Sequence, residues 1–166
     1  IKPLELADKY GVDPFRYFLA RDMVLGQDSS FSETGFISRY NSELANDLGN
    51  LLNRSVVMAD RYLDGVVPEI DLSAQTVETL KKIAEETREA IRELLPRLDT
   101  SRILETVWVL IREANRFVEA QAPWALAKDD SKRQELEETV YGLLEVMRQV
   151  SIWVCPVMPE RAQTMW

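Results

Sequence analysis

The chain is predicted to fold as an all-α, antiparallel helix bundle with short connections. Apolar residues recur at three- and four-residue spacing through several long segments, no segment alternates as a half-buried strand would, and the interruptions fall at Pro, Gly, Ser and Asp. At 166 residues the chain suits one domain or one domain plus an appendage. No internal repeat is visible.

Each element has a local reason. Pro3–Tyr10 is predicted as a short helix that opens on proline and stops at Gly11. Asp13 is expected to cap a second helix, DPFRYFLARDM, with Pro14 at its first position. A loop is expected over Leu25–Ser29. A single long helix over Phe31–Leu63 should follow, capped by a Ser30/Glu33 box and burying Ile37, Tyr40, Leu44, Leu48, Leu51 and Leu52. It ends at Asp64-Gly65, and Val66–Leu72 reads as a linker containing Pro68. Ser73 is expected to cap the next helix, which Pro96 breaks or kinks. Asp99 or Thr100 caps another that runs to Ala120, ahead of Ala122-Pro123-Trp124. The last long helix is expected from about Ser131 to Val154, with Pro156 and Pro159 breaking the chain before a terminal turn.

Composition excludes several chemistries. Without histidine there is no Ser–His or Cys–His nucleophile system and no His-ligated metal, and one cysteine cannot build a thiolate zinc site. Cys155 lies in the apolar run 150–157 and is expected to be a buried, inert thiol. No Gly-rich phosphate cradle occurs among the six glycines. The carboxylates Glu85-Glu86, Asp129-Asp130 and Glu135/Glu137/Glu138 fall on expected solvent faces or near helix N-termini, so no catalytic or metal residue is assigned. No apolar run is long enough to span a membrane, and nothing resembles a signal peptide. Because the chain opens on Ile1 rather than methionine, a fragment or processed product is expected. The net charge of −8 disfavours bulk phosphate binding, so a nucleic-acid reader of this composition needs a local, base-directed site.

Such a site has candidates. Asn41, Asn46, Asn50 and Asn53 each lower helix propensity in one run. Asn50 and Arg54, four residues apart, share a face and offer donors and an acceptor to a planar partner such as a base edge. The other reading of that pair is a solvated outer face. Trp124 follows Pro123 just beyond a helix end, either as an exposed stacking platform or as a lid on the bundle. By count, residues 41–63 carry Arg54 and Arg61 against Glu43, Asp47 and Asp60, a net of −1. In residues 113–128, Arg116 and Lys128 balance Glu113 and Glu119. The candidate site is therefore close to neutral.

Three separated segments, LELADKYGVDPFRYFLARDM (4–23), RYNSELANDLGNLLNRSV (39–56) and EANRFVEAQAPW (113–124), carry a family resemblance in their order and spacing. Together they resemble the C-terminal anticodon-binding domain of bacterial-type methionyl-tRNA synthetase, a class I aminoacyl-tRNA synthetase. DPFRYF alone is shared more loosely among class I relatives. The resemblance implies a helix bundle of the class I synthetase anticodon-binding type that recognises the CAU anticodon of methionine tRNAs. Trp124 would stack on the first, cytosine position, and Asn50 and Arg54 would hydrogen-bond base edges. Asn46, Asn53, Pro123, Asn115 and Arg116 are supporting candidates, and Asn115 could instead tie helices together.

Residues 1–28 would form a stem-contact segment following the catalytic domain, and residues 29–166 the anticodon-binding domain. The chain holds neither the HIGH-type nor the KMSKS signature and no zinc knuckle. Ligation of methionine to tRNA, ATP with Mg, and any zinc would accordingly belong to the parent's catalytic domain. This piece is expected to be inactive alone and to carry no cofactor. Its implied partners are the tRNA(Met) anticodon loop and that catalytic domain, with no DNA and no membrane, in the cytoplasm. Two alternatives stay open: the equivalent domain of another class I synthetase, and a helical protein-interaction module using Trp124.

Overall fold

The computed structural model describes residues 3–23, 26 and 30–166. Among these, the secondary structure is helical throughout, as expected for an all-α bundle. Gly11, at φ 94°, lets α1 (Pro3–Tyr10) turn directly into α2 (Val12–Asp22). Asp13 does not cap α2. It is buried, and its Oδ2 accepts the backbone N–H of Arg161 at 2.8 Å, so it closes the first turn of α9 (Pro159–Met165). A carboxylate satisfies the orphan donors and positive end of a helix N-terminus whichever segment supplies it. Asp13→Ala is expected to cost about 1–2 kcal/mol, read as a lower urea midpoint. The expected Leu25–Ser29 loop lies, Gly26 apart, outside the described residues.

The expected single helix over 31–63 is instead three consecutive pieces. These are α3 (Glu33–Arg39), a π-helical segment (Tyr40–Gly49) and α4 (Asn50–Leu63). Ser32, not Ser30, is the N-cap, its Oγ accepting from Gly35 N at 3.0 Å. Glu33 turns away to Lys9 Nζ at 2.8 Å and Tyr10 Oη at 3.0 Å. The wider π turns shift the phase of the apolar stripe. Phe36 is buried and Ile37 exposed, although a continuous α-helix would put Ile37 on the same face as the fully buried Leu51.

Beyond the linker, α5 (Gln75–Leu94) starts at Ala74 without a side-chain cap. Ser73 instead donates to Asp71. Pro96 sits in a 3-10 turn (Leu95–Arg97) that ends in left-handed Leu98, and Asp99 caps α6 (Thr100–Gln121) through Arg102 N. After α7 (Pro123–Leu126), a 3-10 turn (Asp130–Lys132) leads into α8 (Arg133–Val154).

α6 supplies the centre of the core. Val107, Trp108, Leu110, Ile111, Ala114 and Val118 are sealed against α4, α5, α8 and the flanking α2. Gly142 of α8 permits a close approach to α5, since a Cβ there would stand 3.0 Å from Val77 Cγ1. Glu138 is not on a solvent face but buried, where it accepts from Thr76 Oγ1 at 2.6 Å and Gln134 Nε2 at 2.9 Å. A buried carboxylate held by two donors ties α5 to α8 and needs no catalytic role. Cys155 is exposed rather than buried, because α8 ends at Val154 and the thiol faces out of its last turn. Among the described residues no helix is long and apolar enough to cross a membrane, and no group of three or more His, Cys, Asp or Glu could hold a metal.

Candidate nucleic-acid interface

Helix breaking by Ala122 and Pro123 places the indole. Ala122 takes a left-handed conformation at φ 46°, ending α6, and Pro123 occupies the first position of α7, where its missing N–H costs nothing. Pro123 and Leu126 are buried and anchor this corner, leaving Trp124 42% exposed. Of the other tryptophans, Trp108 is sealed in the core, Trp153 is half-buried and Trp166 is exposed.

α4 brings the polar partners. Asn50, its first residue, is exposed, and Arg54 lies one turn on. The Arg54 guanidinium carbon sits 5.9 Å from the centroid of the Trp124 ring, within cation–π range. On its other side Arg54 Nη2 meets Glu119 Oε1 of α6 at 2.7 Å. The indole and the guanidinium thus converge from elements 70 residues apart in sequence, between α4 and the α6–α7 corner.

The supporting candidates divide. Asn46 and Asn53 are exposed on the π segment and α4. Arg116 is exposed and paired with Glu113 on its own helix. Asn115 is half-buried, its Nδ2 donating to Asp47 O at 3.0 Å and to Ile111 O at 3.2 Å. Sequence reasoning missed Glu119. Its charge enters the local balance, but nothing in the spacing sets a glutamate of α6 against an arginine of α4.

A polar network supports the π segment from behind. Glu43 accepts from Tyr17 Oη at 2.6 Å and pairs with Arg39 at 3.1 Å, while Arg39 reaches Asp22 at 3.0 Å. Burial, together with the Glu43 carboxylate, holds the Tyr17 phenol far above its ordinary pKa, so it remains a donor. Burial also raises the Asp47 carboxyl, opposed by Arg112 and reinforced by Glu43. Trp108 Nε1 donates to Glu43 O at 3.3 Å.

Comparison with known proteins gives consistent matches. The family profile described as "tRNA synthetases class I (M)" matches residues 1–56. The methionine–tRNA ligase of Caldanaerobacter subterraneus subsp. tengcongensis is 41% identical over 166 residues, all of this chain and 26% of that protein. That of Bacillus subtilis is 37% identical over 167 residues, all of this chain and 25% of that protein. Mycobacterium tuberculosis methionyl-tRNA synthetase in its free state superposes with a TM-score of 0.93 at 35% identity, over 99% of this chain and 34% of that one. Its complex with methionyl-adenylate matches equally well, at 0.93 and 35%. This chain spans about a quarter of the length of the relatives it matches. It is homologous, over its whole length, to one region of the methionine–tRNA ligases.

Proposed function

We propose that this chain is the anticodon-binding part of a methionine–tRNA ligase and reads the CAU loop of methionine tRNAs. One observation carries the reading: the Arg54 guanidinium carbon lies over the half-exposed Trp124 ring at 5.9 Å, with exposed Asn50 one turn before Arg54 on α4. An aromatic face, a planar fork of donors and an amide are what an unstacked base needs. Trp124 stacks a base, and Arg54 and Asn50 bond base edges. Stacking needs no positive field, which suits a chain of net charge −8.

In this reading residues 1–28 join the anticodon domain, residues 29–166, to a catalytic domain of the same longer protein. The tie is supported by Arg16, which donates to Pro156 O and Val157 O at 2.8 Å each, and by Tyr17 in the shared core. The whole protein ligates methionine to tRNA in the cytoplasm, with ATP, Mg and any zinc bound outside this chain. Alone, the chain binds RNA without catalysis.

Titration of the protein with CAU and changed-anticodon stem-loops, followed by tryptophan quenching, tests the reading. Preference for CAU is expected. Equal binding of all loops removes methionine specificity, and binding of none leaves Trp124 as a protein-interaction surface.

Glu119 adds a second expectation. It holds Arg54 before RNA arrives and places a negative charge where a polyanion must approach. Glu119→Gln is expected to tighten loop binding by about two- to five-fold, the size of an exposed ion pair, with the gain shrinking as salt rises.

A further inference from the structure

The geometry points to Asn115 as a positioning residue: its side-chain amide, donated from α6 to Asp47 O, holds the π segment and thereby sets the angle at which α4 presents Asn50 and Arg54 beside Trp124. This deepens the anticodon reading and rests on it.

Ten residues of π-helix need a cause, since i→i+5 bonding is rare and concentrates at functional sites. The local sequence gives none, as its apolar spacing fits an α-helix. The cause lies on α6. Trp108 Nε1 donates to Glu43 O and Asn115 Nδ2 to Asp47 O, so two donors seven residues apart grip two carbonyls four residues apart. A carbonyl has two lone pairs, so each accepts this bond beside its helical one. Gly49 accommodates the wide turn, because a Cβ there would stand 3.1 Å from Leu44 O.

The orientation of the amide is fixed. Both Nδ2 hydrogens face carbonyls, at Asp47 and Ile111, while buried Oδ1 has no protein partner. A flipped amide would set oxygen against oxygen. The consequence for α4 is rotational. Each residue absorbed or released by the π segment turns the following helix by about 100°, and Asn50 is the first residue after it. The shift already visible at Phe36 and Ile37 is the same phase effect on the preceding side.

The test uses Asn115→Leu, nearly isosteric and without a donor, in the whole chain. Affinity for the CAU stem-loop is expected to fall about tenfold. Amide hydrogen exchange over 44–52 should quicken about tenfold, while α5 and α8 stay unchanged. In a chain already carrying Asn50→Ala and Arg54→Ala, Asn115→Leu should cause no further loss, because its effect passes through those two residues.

Unchanged exchange overturns the proposal. So does an equal loss in the double-mutant background, which would mean direct contact with RNA. If the unaltered chain binds no loop, the anticodon reading fails by itself, and the exchange measurement still decides whether the amide holds the π segment. Should Asn115→Leu not fold, Asn115→Ala takes its place under the same criteria.

Discussion

Trp124→Ala is expected to weaken binding of a CAU stem-loop by about 1–3 kcal/mol, the range for a base stacked on an aromatic ring, while leaving the fold intact. The fold should survive because the corner does not depend on the indole. Pro123 and Leu126 carry the burial, and Ala125 N and Leu126 N both return to Ala122 O. Trp124→Phe keeps a smaller face and should retain part of the affinity. Loss of the ring also removes the surface over which Arg54 lies, so Arg54 is freer to remain with Glu119, and the two effects add. Fluorescence needs care, since Trp166 is 73% exposed and emits as well. A Trp166→Phe background removes that exposed emitter, the remaining Trp108 and Trp153 signal is subtracted with Trp124→Phe, and the affinity of Trp124→Ala is read from a labelled stem-loop. An unchanged affinity for Trp124→Ala, with circular dichroism unaltered, would remove stacking from the mechanism.

What was legible in the sequence depended on the distance over which its cause acts. Local causes were visible. Asp99 caps the helix three residues ahead of Arg102, Pro96 breaks α5, and Pro123 starts a new turn, all within one helical turn of the residue responsible. The four-residue spacing of Asn50 and Arg54 sets them on one face of α4, whereas the proline before Trp124 leaves both an exposed platform and a lid open, and only the fold shows the ring exposed.

Remote causes were invisible. Asp13 has the form of an N-cap for its own helix but serves α9, 148 residues away. Residues 40–49 have α-helical spacing but are π-helical, and the donors that favour this lie 65 and 68 residues on. The charged neighbours of Glu138 point to a surface position, whereas Thr76 on another helix lets it be buried. The four asparagines receive a partial explanation. Two of them, Asn41 and Asn46, lie in the π segment, where α-helix propensity is not the relevant scale.

The same remote causation predicts the largest loss of stability. Trp108 is fully buried, packs its ring 4.6 Å from that of Tyr17, and donates Nε1 to Glu43 O. Trp108→Ala is expected to cost about 3–5 kcal/mol, the range for emptying a large aromatic site. Against a total of about 5–15 kcal/mol for a domain, that is a large share of the stability. The damage should not be confined to a cavity. Tyr17 anchors α2 and bonds Glu43, and Glu43 pairs with Arg39, so the ring supports the junction of α2, the π segment and α6. Trp108→Phe separates the two contributions. It keeps most of the volume but deprives Glu43 O of a donor, and should cost about 1–3 kcal/mol. Urea denaturation distinguishes the cases: a modestly lower midpoint for Phe and a much lower one for Ala. If Trp108→Ala stays within about 1 kcal/mol of the unaltered chain, the core is not organised around this ring.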